Sequence, residues 1–217
     1  MIRHALAPVQ RDAARSLSLP LTLPGLGGVA LTFDDGPHPE GTPAVLEVLA
    51  QAGARATFFV VGEQVQRRPE LVARILGEGH AVALHGYRHR LQLRMSGSEV
   101  AADLARGAAI VREAMGGAQL RWHRPPYGIY SSAGLRWVRG TGLRPLLWSR
   151  WGKDWRKHTN PAQIARRATR ALAPGDVILL HDADFYSAPN SHQRTAAALV
   201  TILGELKERK LDTVLPV

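Results

Sequence analysis

The sequence predicts an α/β fold in which about seven parallel strands curl into an incomplete (β/α) barrel, and three observations carry that prediction. Short apolar runs alternate with longer stretches of helical periodicity, a rhythm that implies parallel pairing through right-handed crossovers. Seven such units occupy about 190 of the 217 residues, where a complete eight-unit barrel takes about 250. The residues best suited to chemistry fall at the carboxyl ends of the predicted strands, where parallel α/β folds build their sites. A flat doubly wound sheet is the alternative architecture.

The elements follow in chain order. Residues 28–33, GVALTF, form an apolar run cut off by two carboxylates and a Gly-Pro turn signal, and 43–52 then takes helical spacing. The β-branched and aromatic run 55–61, RATFFVV, reads as the second strand, 63–77 as a helix, and 80–84, HAVAL, as the third strand. A helix over 97–115 leads to the strand 119–123, QLRWH, and a helix over 131–140 leads to the strand 143–148, LRPLLW. The helix 161–172 has Thr159 and Asn160 as cap candidates and Pro161 in its first turn. The strand 176–181, DVILLH, the helix 192–209 and a seventh strand over 212–216, DTVLP, complete the pattern. Residues 1–25 read as an N-terminal extension and 26–217 as one domain.

Composition bounds the function. Hydrophobic residues make up 45% of the chain and charged residues 21%, enough for a sizeable core. There is no cysteine, which excludes disulfides, thiolate metal sites and cysteine nucleophiles, and leaves any metal to His and carboxylate ligands. No run approaches the ~18 uninterrupted apolar residues of a membrane span. Pro and Gly interrupt the best apolar stretch before residue 28, so no signal peptide is read there. The formal charge of +10 suits an anionic partner, a cell-wall polymer or nucleic acid. The arginines are scattered through the predicted helices with no aromatic-interleaved stripe, which argues against nucleic acid.

Four constellations carry chemistry. Asp34 and Asp35 are adjacent like charges at the mouth of an apolar strand, a costly pairing unless a cation and Arg124 offset the repulsion. One carboxylate would then hold a divalent ion, and the other would take a proton from the attacking water; a bare solvated turn is the competing reading. His85 and His89 stand four residues apart and, with a carboxylate from another strand end, give the His₂Asp set of catalytic zinc sites. The stiff loop RPPYG at 124–128 can aim an amide N–H at a developing oxyanion while Arg124 pairs with a carboxylate. Finally, His181 ends a buried strand, placed for a general acid oriented by an aspartate, and Asp154 lies beside Trp155, whose indole can stack on a sugar. His80 and His123 are weaker candidates, expected to be structural or partly exposed.

Together these residues resemble the polysaccharide deacetylases of carbohydrate esterase family 4, the NodB homology domain. The likeness runs in order from about residue 28 to the C-terminus through TFDDG at 32–36, the pair His85 and His89, the R-x-P-Y loop at 124–127, Asp154-Trp155, and L-x-H at 179–181. The resemblance implies a distorted seven-stranded barrel and a divalent metal, usually zinc with cobalt or nickel accepted. It implies that Asp34 is the general base and that Asp35, His85 and His89 bind the metal. It implies also that Arg124 positions Asp34, that the Tyr127 backbone amide helps hold the oxyanion, and that Asp154 tunes His181 as the general acid. Trp155 and Leu179 would wall the pocket for the acetyl methyl.

The implied activity is removal of N-acetyl groups from an amino-sugar glycan with release of acetate, a substrate class that points to the cell envelope. The same chemistry would serve a non-sugar amide or an O-acetyl ester, and a non-catalytic glycan-binding protein could keep the fold. The sequence departs from the family pattern twice: Gly86 stands where Ser or Thr usually follows the first His, and Trp151 where an Asp usually precedes the Asp-Trp pair by three residues. The stretch 181–195 is long for its junction, and Asp182, Asp184 and Tyr186 are expected to shape the cleft.

Overall fold

In the computed structural model, which describes residues 12 and 14–216, the strands are β1 (Ala30–Asp34), β2 (Thr57–Val60), β3 (Ala81–Leu84), β4 (Trp122–His123), β5 (Arg144–Pro145), β6 (Arg150–Trp151) and β7 (Val177–His181). They pair in parallel in the order β5-β4-β3-β2-β1-β7-β6. The edges β5 and β6 do not pair with each other, so the sheet curls into a barrel that stays open, as expected. The helices are α1 (Gly41–Ala52), α2 (Gly62–Arg67), α3 (Pro69–Gly77), α4 (Gly97–Ala114), α5 (Ser132–Gly140), α6 (Pro161–Thr169) and α7 (Ser191–Glu208).

Strand periodicity decides what faces the chemistry. On β1, Leu31 and Phe33 join the large core beneath the helices, and Phe33 stacks on Phe58 of β2 at 5.2 Å. The alternate residue Ala30 turns to the barrel interior with Phe59, Ala83, Trp122, Leu146 and Val177. The same alternation puts Thr32 and Asp34 of β1, and Leu179 and His181 of β7, on the interior side, where Asp34 and His181 are register partners. Apolar side chains fill the lower interior, and the ionisable ones crown it.

The strands expected over 119–123 and 143–148 shorten to two residues each in β4 and β5, and two further elements differ in kind from the sequence reading. Residues 212–216 form no strand: Thr213 makes a single parallel bridge to Val29. Both sides of β1 are already taken by β2 and β7, and Pro216 has no N–H to extend a ladder. The seventh strand is instead β6. The helix expected over 63–77 breaks at Arg68, a non-helical residue (φ −146°, ψ 61°), because Pro69 opens α3 and cannot donate to the preceding turn. The cap of α6 is as anticipated: Asn160 accepts from Gln163 N at 2.9 Å, and Gln163 returns the bond.

Residues 1–11 and 13 lie outside the described residues, and with them part of the stretch read for a signal peptide. Further on, Ala14 and Leu19 are buried in the main core. Pro20 O accepts from Leu147 N at 2.9 Å, and Thr22 bridges Asp176, so this segment ties the chain after β5 to the start of β7. No helix among the described residues is long and apolar enough to cross a membrane.

Candidate active and metal site

Arg124 is the anchor of the site. It follows β4, is fully buried, and lies over the Phe59 ring at 3.9 Å. Its Nη1 donates to Asp34 Oδ1 at 2.7 Å and to Thr32 Oγ1 at 2.9 Å, while Nε and Nη2 donate to the carbonyls of Leu146 and Leu147. A buried guanidinium with every face engaged fixes one oxygen of Asp34 and leaves Oδ2 to the cavity.

Asp35 turns the other way because its backbone is left-handed (φ +81°), uncommon for a residue other than glycine and a mark of a constrained site. Its buried Oδ1 has no hydrogen-bond partner and faces His89 Nε2 at 3.2 Å and His85 Nε2 at 3.5 Å. Burial works to raise the Asp35 pKa, but His89, His85 and His181 outweigh it and hold the carboxyl well below its ordinary range. The His85 Nδ1–H donates to Arg124 O at 2.8 Å, so the lone pair of His85 sits on Nε2, facing Asp35. Burial pulls His89 down to about 4 against the pull of Asp35, so its ring is neutral at physiological pH. Two imidazole Nε2 atoms and one ionised carboxylate, with ligand atoms close together and a carboxylate oxygen otherwise orphaned, fit a divalent ion.

Across the cavity, His181 Nδ1 meets Asp154 Oδ1 at 2.9 Å, and the His181 backbone N–H donates to Asp154 Oδ2 at 2.7 Å. Thr195 of α7 adds a third bond to this fully buried carboxylate. Asp154 therefore fixes both the ring and the strand end that carries it.

A cavity of about 340 Å³ joins these groups. Asp34, Asp35, His85, His89 and His181 line it, and so do Tyr127, Trp155 and Leu179, while Arg124 and Asp154 stand behind the wall. Tyr127 is left-handed (φ +63°) between Pro126 and Gly128 and sets its ring edge-on to His89. Trp155 stands edge-on to His181 at 5.5 Å. Trp151 contacts both Trp148 and Trp155, so the departure from Asp at this position gives the cavity an aromatic wall.

His80 and His123 are structural. The first accepts from Ala56 N and packs on Phe58; the second is buried on the helix-facing side of β4, where it bonds Tyr130 Oη at 2.7 Å. Sequence reasoning gave Tyr186 a place at the cleft but missed its face-to-face stack on His89 at 4.3 Å. It also missed Thr32, Thr195, Leu91, Arg94, Ile129 and Trp148. Thr32 alone had a signal, since period two puts it on the face of Asp34.

A second group, His38, Asp184 and His192, has the same composition but different chemistry. His38 Nδ1 accepts the amides of Gly41 at 2.9 Å and Glu40 at 3.2 Å, which places the proton of the neutral ring on Nε2. That Nε2–H faces Asp184 Oδ1 at 3.3 Å, so it offers the position a proton rather than a lone pair. The group clamps the segment that carries Tyr186.

A family model described as Polysaccharide deacetylase matches residues 25–146, more than half of the chain. The chain belongs to the polysaccharide deacetylase family. It is 37% identical over 183 residues to a peptidoglycan-N-acetylglucosamine deacetylase of Bacillus cereus, covering 83% of this chain and 82% of that one. It is 39% identical over 158 residues to a chitooligosaccharide deacetylase of a Bradyrhizobium species, covering 73% and 72%. Among solved structures, a peptidoglycan N-acetylglucosamine deacetylase bound to an N-hydroxybenzamide superposes with a TM-score of 0.83 at 30% identity, over 93% of this family member and 92% of that chain.

Proposed function

We propose that this chain is a zinc-dependent hydrolase that removes N-acetyl groups from an amino-sugar glycan and releases acetate, with residues 26–217 as its catalytic domain. The observation that carries the reading is a single cavity in which Asp34 and His181 flank the Asp35, His85 and His89 set. The relatives named for peptidoglycan and chitooligosaccharides support the substrate class. The charge of +10 suits an anionic wall polymer.

Asp35, His85 and His89 would hold a divalent ion that supplies Lewis acidity at the acetyl carbonyl, and a thiol-free His₂Asp set favours zinc, with cobalt or nickel tolerated. Asp34 takes a proton from the attacking water on Oδ2, because Arg124 occupies Oδ1. The Tyr127 amide helps hold the oxyanion on a loop stiffened by Pro125 and Pro126. His181, its Nδ1 held by Asp154, donates from Nε2 to the departing amine as the C–N bond breaks. Trp155 and Leu179 enclose the acetyl methyl.

The test is acetate release from N-acetylated chitooligosaccharides and from peptidoglycan, with an O-acetyl ester in parallel. The expected result is release from a glycan amide, lost on chelation and restored by zinc. A zinc-loaded protein that binds these glycans without releasing acetate would instead be a binding protein on this fold. Preference for the ester would mark the non-glycan reading.

A further inference from the structure

We propose that Asp103 is a positioning residue of the metal site, clamping the loop between His85 and His89 in place of the hydroxyl that this chain lacks at Gly86. The inference rests on reading those two histidines as ligands. His85 is fixed by the sheet, its backbone N–H donating to Val60 O at 2.9 Å. His89 lies four residues on, outside any strand or helix, so the backbone of 86–88 decides where its Nε2 falls.

That backbone is held from two helices. The opening amides of α2 bond the loop carbonyls: Gly62 N to Gly86 O and Glu63 N to Tyr87 O, both at 2.9 Å. The loop amides go to one side chain, Tyr87 N to Asp103 Oδ2 at 3.0 Å and Arg88 N to Asp103 Oδ1 at 3.2 Å. Charge-assisted bonds from both carboxylate oxygens fix the orientation as well as the position of the two peptides. Asp103 reaches them because α4 lies at main-chain distance: a Cβ on Gly107, one turn along, would fall 2.7 Å from Tyr87 N.

The clamp and the missing hydroxyl are linked by geometry. Gly86 is left-handed (φ +88°), and a Cβ there would lie 3.3 Å from both Asp103 Oδ2 and Arg88 O. The conformation Asp103 holds is one that Ser or Thr at position 86 resists, so the hydroxyl and the carboxylate are alternative braces.

Titrating metal-stripped protein with Zn²⁺ against a chromophoric chelator tests this. Asp103→Ala is expected to weaken Zn²⁺ binding by about 10–100-fold. Asp103→Asn, which keeps one acceptor oxygen, should lose less, and it carries the decision if the alanine variant does not fold. Parental Zn²⁺ affinity in the folded variants overturns the proposal, even if their melting temperature drops, because that pattern is purely structural. His89→Ala separates the two readings. If it abolishes Zn²⁺ binding while the Asp103 variants do not weaken it, only the brace falls; if it has no effect, the ligand assignment falls and takes the brace with it.

Discussion

His181→Ala is expected to lower turnover on an N-acetylated chitooligosaccharide by about 10²–10⁴, the range for loss of a general acid. Burial pushes the His181 pKa down, but Asp154 first, then Asp35 and Asp34, push it up further, from 6.5 to about 10. Below the raised value the imidazole keeps its proton and the acid is in place; as pH rises through it, the acid is lost and turnover falls. A cation on Asp35 offsets that carboxylate's share of the rise, so the basic limb of the rate profile should fall between 6.5 and about 10. Asp154→Asn removes the largest upward push and should move that limb down. The check is the pH dependence of kcat for the parent and both variants, on an amide and on an activated ester. The ester leaving group needs less protonation, so the His181→Ala loss should be milder there. Normal amide turnover by His181→Ala would reduce the ring to a packing role.

What the sequence revealed of this fold follows from how local each signal is. β1 and β7 were legible because five-residue apolar runs end in charged or imidazole side chains, and period two then puts Asp34 and His181 on one face. β6 was not, since two residues, Arg150 and Trp151, carry no period and form a strand only because β7 offers them an edge. The run 212–216 has strand composition but meets a sheet whose β1 has no free side. The candidate residues converge because motif spacing fixes which strand end each occupies. Their supports are another matter: Thr195 reaches Asp154 from α7, and Asp103 reaches the 86–88 loop from α4. Both contacts are made by helix packing and leave no trace in local pattern.

Asp35→Asn is expected to strip the metal and lose activity with it, whereas Asp34→Asn should keep the metal and still lose about 10²–10⁴ in turnover for want of the base. The two side chains are neighbours in sequence but answer to different partners. Asp35 Oδ1 faces the Nε2 atoms of His85 and His89, and a neutral amide is a poor replacement for an anionic ligand. Asp34 Oδ1 is bound to Arg124, and its Oδ2 lies 3.8 Å from His85 Nε2, one of the proposed metal ligands. Asp34→Asn therefore also leaves a fully buried guanidinium without its counter-charge. Removing one partner of a buried ion pair costs about 3–5 kcal/mol, and the amide oxygen, still able to accept from Arg124, should hold the loss to the lower end. Thr32 and the carbonyls of Leu146 and Leu147 continue to satisfy the rest of the guanidinium. The measurement is metal content by elemental analysis, melting temperature and turnover for each variant. Loss of metal from Asp34→Asn with retention in Asp35→Asn would reverse the two roles. Retention of both metal and turnover in each variant would leave the pair as a turn capping β1, with no part in the chemistry.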